Sequence, residues 1–308
     1  MVIIYLSGVL VLMKIDAVFS GGGVKAFAFL GALETLQQEN FTIERVGGTS
    51  AGAILAALIA AGYTVEEMKQ IFFSIDFNQF LDPPPLAGKY SPLQLISLYI
   101  HKGLNRGDKF EHWVEKKLRK KGIVTFAHMK EGYLKVVVSD LTKGRLVVIP
   151  DDLERLYNIN PKKFSVATAI RMSAGFPYFF MPKQLKNNEG TWSYIVDGGL
   201  LSNFPLWLFQ TKQEQALRPV LGVTLSETVE QQQPELVKNG IDMLQAIFKT
   251  MIKAHDTRYI STSQSNQIVF IPVKDIKTVD FNINDKTKED LIELGAINTE
   301  TFLKTWAY

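Results

Sequence analysis

The chain has 308 residues, 46% of them hydrophobic and 21% charged, with 34 basic against 31 acidic side chains and a net charge of +3. That balance excludes a disordered, collagen-like or coiled-coil chain, and it gives no electrostatic case for nucleic acid as a partner. The absence of cysteine excludes disulfides, thiolate metal sites and a thiol nucleophile.

Residues 1–12 (MVIIYLSGVLVL) are mostly apolar. The run is shorter than the ~20 residues of a membrane span, and it lacks the basic n-region and small-residue cleavage site of a secretory signal. Residues 1–13 therefore read as an apolar extension (an extra strand, a short anchor or a start set too early) ahead of one domain at 14–308. Without an export signal the expected compartment is the cytoplasm, with peripheral contact to a membrane left open.

Residues 15–19 are strand-like. Residues 27–39 place Leu30, Leu33 and Leu36 three apart, as one face of a helix does. Residues 43–46 form a short strand, and residues 53–61 are apolar all round, as in a buried helix. Strand, helix, strand, helix with short links predicts an α/β fold, a three-layer α/β/α domain with a mostly parallel central sheet.

The middle of the chain is less regular. Residues 72–89 are aromatic and then Pro-rich, and Pro83, Pro84 and Pro85 break any helix there. A basic, exposed helix is expected at 110–121, and strands at 134–139 and 145–149 flank a turn at Lys143-Gly144. Further short strands fall at 194–196, 221–225 and 268–271. Ile241, Leu244, Ile247, Phe248, Met251 and Ile252 mark one face of an amphipathic helix, and a last helix covers 288–304. No linker divides the chain.

Three segments carry chemistry in combination. Ser20-Gly21-Gly22-Gly23-Val24-Lys25 follows a strand and opens a helix. Its glycines can turn several N–H groups toward one point at a helix N-terminus, which suits a phosphate or a developing oxyanion. Lys25 would strengthen that field. The dinucleotide fingerprint fits poorly because position 26 is Ala26, and no Lys-Ser/Thr pair completes a P-loop. Gly48-Thr49-Ser50-Ala51-Gly52 is a G-x-S-x-G match between a strand and a helix, the setting of a nucleophile elbow. Tyr194-Ile195-Val196-Asp197-Gly198-Gly199 ends an apolar strand in a carboxylate. Asp197 stands there either as a functional group at a strand's carboxyl end or as a turn-forming Asp-Gly.

The ordered set Gly21-Gly22-Gly23-Val24-Lys25, Gly48-Thr49-Ser50-Ala51-Gly52 and Asp197-Gly198-Gly199 resembles the patatin-like phospholipase family. The similarity runs on through Ala169-Ile170-Arg171-Met172-Ser173, Phe176-Pro177 and Leu201-Ser202-Asn203-Phe204-Pro205, so it covers roughly residues 14–225. The resemblance implies a bacterial intracellular serine lipid acyl hydrolase of the phospholipase A or esterase type. It implies Ser50 as nucleophile and Asp197 as its base. Gly21, Gly22 and Gly23 would form the oxyanion hole, with Lys25 assisting. It implies a phospholipid or other acyl ester as substrate and no cofactor. One departure is Ala26, where the family usually has glycine. An alanine there would cost ~1 kcal/mol or more if the position required φ > 0.

The residues themselves leave two other readings. The order Ser50, Asp197, His255 would suit an α/β-hydrolase triad, although the nucleophile would then come unusually early in the sheet. Gly21 to Lys25 alone would suit a phosphate- or nucleotide-binding module. His101, His112 and His128 lie in polar or basic stretches and read as surface residues. Phe176, Tyr178, Phe179 and Phe180 suit either an acyl pocket or plain core. Phe72, Phe73, Phe77 and Phe80 suit either a lid or a packed insertion. The basic run 116–121 suits a solvated face more than a headgroup site. No Asp, Glu and His cluster has metal-ligand spacing.

Overall fold

A computed structural model of the chain describes residues 12–84, 98–210, 218–226, 237, 243, 246–248, 250–251, 265–273, 276 and 283–306. Strand β1 (Met13–Phe19) leads through a tight loop into helix α1 (Phe27–Gln38), strand β2 (Phe41–Thr49) and helix α2 (Ala51–Ala60). Helix α3 (Val65–Phe73) follows, opened by a capping box between Thr64 and Glu67. Next come β3 (Gly103–Asn105), α4 (Asp108–Lys120), β4 (Leu134–Asp140), β5 (Arg145–Ile149), α5 (Leu153–Tyr157) and α6 (Val166–Ser173). The later elements are β6 (Tyr178–Phe180), β7 (Lys183–Lys186), β8 (Trp192–Asp197), β9 (Val220–Ser226), β10 (Ile268–Pro272) and α7 (Asp285–Leu303).

The main sheet has the order β10-β9-β1-β2-β4-β8-β7, with β5 also on β4. From β10 to β4 all neighbours are parallel. Strands β5, β8 and β7 then join antiparallel to their neighbours. The expected three-layer α/β fold is the observed one, with its parallel order confined to five of the eight strands.

Alternation along β1 assigns the two faces. Ile15, Ala17 and Phe19 belong to the large core that takes in α1 and α2. Val18 points the other way, with Val137, Val220 and Ile268, and is covered by Phe204, Leu206, Leu208 and Phe209. Both faces are therefore dry, which accounts for the unbroken apolar runs of the parallel strands.

Helix α1 crosses α7 at backbone contact. A Cβ on Gly31 would stand 1.8 Å from the Ile292 carbonyl oxygen, and one on Gly295 would stand 1.9 Å from that of Ala28. The expected basic helix is α4, and it is amphipathic, with Phe110, Val114 and Leu118 buried at every fourth position. The aromatic stretch after residue 72 is packed rather than a free lid. Phe72 and Phe73 ring-stack edge-on against Phe27, and Phe80 packs on Phe110 and Trp113. Of the segment 176–180, Phe180 is core, Phe176 packs on Phe248 and Tyr178 is exposed. The face read from residue 241 to 252 is split where it is described: Phe248 is buried, while Ile247 and Met251 are exposed. Residues 1–11 and 85–89, Ile241, Leu244, Ile252 and His255 lie outside the described residues.

Candidate active site

Ser50 is the single residue between β2 and α2, with φ 53° and ψ −121°. A side chain in that region carries strain of about 1–3 kcal/mol and persists only where its surroundings enforce it. The flanking glycines show the enforcement. A Cβ on Gly48 would stand 2.6 Å from the Gly52 carbonyl carbon, and one on Gly52 would stand 2.3 Å from the Phe19 carbonyl oxygen. The G-x-S-x-G spacing is thus a steric condition for bringing β1, β2 and α2 together at one point. Three further bonds fix the turn. The Ser50 N–H donates to Ser173 Oγ at 3.0 Å, and Ser173 Oγ donates to the Val137 carbonyl at 2.7 Å. Thr49 Oγ1 donates to the Ser202 carbonyl at 2.9 Å. The Ser50 carbonyl accepts from Ala53 and Ile54, so its side chain sits at the positive end of α2.

Asp197 closes β8, in register with Val138 of β4, one residue beyond the pairing of Val137 with Thr49. That register sets the carboxylate beside the serine. Ser50 Oγ donates to Asp197 Oδ2 at 2.8 Å, and the Gly199 N–H donates to Oδ1 at 2.8 Å. The Asp197 N–H donates to the Gly175 carbonyl at 3.1 Å. Gly198 has no room for a side chain, since a Cβ would stand 2.3 Å from the Val137 carbonyl oxygen. Asp197 is only 3% exposed. Burial pushes its carboxyl up to about 7, and the bonds from Gly199 and Ser50 oppose that rise only in part.

The Gly-rich loop lies against this pair. The Gly21 N–H donates to the Asn203 carbonyl at 2.9 Å, so it is spent on the scaffold and not free for an incoming oxygen. Gly21 serves by its smallness: a Cβ there would stand 2.3 Å from Asn203 Oδ1 and 3.4 Å from Ser50 Cβ. Gly22 precedes and Gly23 opens a single 3₁₀ turn at Gly23–Ala26, closed by the Lys25 N–H on the Gly22 carbonyl at 3.2 Å. N–H groups at the start of such a turn have no partner inside it. Gly23 takes φ 56°, which glycine adopts without strain. Lys25 is buried in the same turn. Ala26 has φ −61°, so its departure from glycine carries no conformational cost.

Sequence reasoning brings Ser50, Asp197 and the Gly-rich loop together, and in the structure they lie side by side. It assigned no role to Ser173 or Asn203, which hold the serine turn and the loop, although both lie in segments that carry the resemblance. Both are small polar residues just after helical or turn segments, a common type with no distinctive spacing. His101 and His112 are exposed, and His128 Nδ1 accepts from the Thr125 N–H on the surface. Among the described residues no group of three or more His, Asp and Glu could hold a metal ion, and no helix is long and apolar enough to cross a membrane.

The profile of the family described as "Patatin-like phospholipase" matches residues 17–209, a span that contains the loop, the serine turn and Asp197. The chain is 45% identical to YqhO of Bacillus subtilis (strain 168) over 296 residues, which is 96% of this chain and 100% of that one. It is 28% identical over 202 residues to the probable lipid hydrolase 463L of Invertebrate iridescent virus 6, covering 61% of each. Among solved structures it shares its fold with VipD from Legionella pneumophila, with a TM-score of 0.56 and 19% identity over 95% of this chain and 67% of that chain. The ExoU–SpcU complex of Pseudomonas aeruginosa gives a TM-score of 0.52 at 21% identity, covering 95% of this chain and 51% of that chain.

Proposed function

Since the chain belongs to the patatin-like phospholipase family, we propose that it hydrolyses lipid acyl esters through a Ser50–Asp197 dyad and an acyl-enzyme. The observation that carries this reading is the 2.8 Å bond from Ser50 Oγ to Asp197 Oδ2, made by a strained serine at a helix N-terminus.

The reaction runs in two halves. Ser50 Oγ attacks the ester carbonyl as its proton passes to Asp197 Oδ2. The oxyanion that forms is met by the Gly22 and Gly23 N–H groups, with the buried Lys25 and the α2 N-terminus adding positive potential. Collapse expels the alcohol, which takes the proton from Asp197 and leaves the acyl group on Ser50. Water then attacks the acyl-enzyme, giving its proton to Asp197, and the acid leaves as Ser50 regains a proton. An ordinary Asp near 3.9 is a weak base toward a hydroxyl. Desolvation at the end of β8 strengthens Asp197 for this role.

The direct bond also speaks against a histidine triad, in which the carboxylate would orient an imidazole rather than touch the serine. A phosphate-binding module would leave the strained serine and its buried partner without a purpose. The substrate class is a phospholipid or related acyl ester, as the family name implies, and peripheral contact with a membrane follows from that substrate. The test is turnover of p-nitrophenyl esters together with labelling by a fluorophosphonate. Turnover and a label that both vanish in Ser50→Ala support the reading. A folded protein with neither, or a label that survives in Ser50→Ala, sinks it.

A further inference from the structure

Large apolar side chains exposed one at a time are ordinary on any protein surface. Here six of the twelve among the described residues fall in one linked run. Tyr99 is 88% exposed and Ile100 is 57% exposed, immediately ahead of β3. Strand β3 pairs with β6 through Gly103 and Tyr178, and Tyr178 is itself exposed with φ 65°. Two residues before it, Phe176 packs edge-on against Phe248 with ring centroids 4.6 Å apart. Around Phe248, the residues Met243, Ile247 and Met251 stand four apart and turn outward, Ile247 at 48% exposure. The run is thus linked, from Tyr99 through Tyr178 to Met251.

Its position relative to the dyad follows from the register. Asp197 pairs with Val138, while the Leu141 N–H, past the carboxyl end of β4, donates to the Tyr194 carbonyl at 2.9 Å. Lys102 Nζ lies 5.0 Å from the centroid of the Tyr194 ring. The Tyr99–Lys102 segment therefore stands above the carboxyl ends of the parallel strands, at the end where Ser50 lies. Along the same run Gly175, next to Phe176, accepts from the Asp197 N–H. The apolar run thus adjoins the dyad there.

We propose that this end of the molecule is a membrane-docking face, which seats the dyad on a lipid surface carrying anionic headgroups. The proposal rests on the hydrolase reading above and names the partner of that same site. Three observations select a lipid surface over a protein. The face adjoins the catalytic pair through Gly175 and Phe176. Its exposed side chains are tyrosine, isoleucine and methionine, which enter the interfacial zone of a bilayer. The exposed His101 and Lys102 follow those tips directly and would meet negative headgroups while Tyr99 and Ile100 reach the acyl boundary.

The test separates binding from catalysis. Full-length Ser50→Ala protein is sedimented with vesicles of phosphatidylcholine, with and without phosphatidylglycerol. We expect binding to the anionic vesicles. The paired changes Tyr99→Ser with Ile100→Ser, and Ile247→Ser with Met251→Ser, should each weaken it by about tenfold or more, about 1.4 kcal/mol of lost burial. Ile297→Ser, an equally exposed isoleucine on α7, should bind as before. Circular dichroism confirms folding of each variant. Undiminished binding in both paired variants overturns the proposal, as does an equal loss in Ile297→Ser. Equal binding to pure phosphatidylcholine overturns the role given to His101 and Lys102. A dimer that falls apart in the paired variants while vesicle binding persists makes the face a self-association surface and overturns the proposal as well. With Ser50 restored, the paired variants should lose turnover of vesicle phospholipid at least tenfold more than turnover of a soluble short-chain ester. A parent inactive on both substrates sinks the hydrolase reading, and vesicle binding by the Ser50→Ala series still decides the surface.

Discussion

Asp16 and Asp197 are both buried aspartates on strands of one sheet, and their surroundings could hardly differ more. Asp16 is fully buried on β1 and meets two guanidinium groups, Arg45 on one oxygen and Arg218 on the other at 3.2 Å. Asp197, at the carboxyl end of β8, meets one hydroxyl and one backbone N–H among the described residues. The first is a charge neutralised in place, part of how β1, β2 and the approach to β9 are held together. The second is left short of positive partners, and burial lifts it to about 7. A carboxylate becomes a base where the fold withholds a cation, and becomes a structural ion where the fold supplies one.

The widest separation of the two should come from removing each charge. Asp197→Asn and Ser50→Ala should each lower kcat/KM by about a thousandfold or more with the circular dichroism unchanged, and the double variant should be little worse than either. Asp16→Asn should do the reverse. It strands two arginines around a buried amide and should cost about 3 kcal/mol of unfolding free energy in urea titrations, while the folded fraction keeps its turnover. A stable, inactive Asp16→Asn protein would collapse the distinction.

The pH dependence sharpens the comparison next. In the proposed mechanism Asp197 must be ionised to take the serine proton, so kcat/KM should rise with pH and reach half its plateau near 7. Stability should move the other way. The folded state holds the Asp197 proton to a higher pH than the unfolded chain does, so folding loses free energy as pH rises from about 4 through about 7. Asp197→Asn should therefore gain stability over the parent by a few kcal/mol at about pH 8 and by little at about pH 4, read from urea midpoints.

Smaller effects test how the base and its serine are held. Ser173→Ala removes the acceptor of the Ser50 N–H and should lower kcat by about tenfold with KM little changed, the scale of one lost positioning bond. His255→Ala should change kcat/KM by less than about tenfold, because Asp197 already contacts the serine. A folded His255→Ala enzyme as inactive as Ser50→Ala would restore the triad.

The parallel half of the sheet was legible in the sequence because it is buried on both faces. Apolar runs at 15–19, 221–225 and 268–271 sit inside β1, β9 and β10, and the all-apolar run at 53–61 nearly coincides with α2. Helix α3 is harder to read: Thr64-Val65-Glu66-Glu67 carries a capping-box pattern, but the aromatic residues at its end run straight into the irregular, Pro-rich stretch. Strands β3, β6 and β7 are three or four residues long, too short for any period to show. At the site, the serine turn and the terminal aspartate were legible because their steric needs are written as glycines. The division of labour inside the Gly-rich loop was not, since nothing in Gly21-Gly22-Gly23 distinguishes an N–H tied to Asn203 from one left open. The split face around Phe248 was also hidden, because periodicity groups apolar residues without saying whether protein or solvent covers them.

The crossing of α1 and α7 bears on when the site can exist during synthesis. Thr35 of α1 donates to the carbonyl of Ala296 across 261 residues, and Gly31 and Gly295 allow the two backbones to touch at the same crossing. Helix α1 begins where the Gly-rich loop ends, so the helix behind that loop waits for a partner made 261 residues later. A chain still in translation can already own its serine turn, but α1 has nothing to lean on along that flank. Synthesis of α7 is thus built into the geometry as a condition for backing the helix behind the Gly-rich loop.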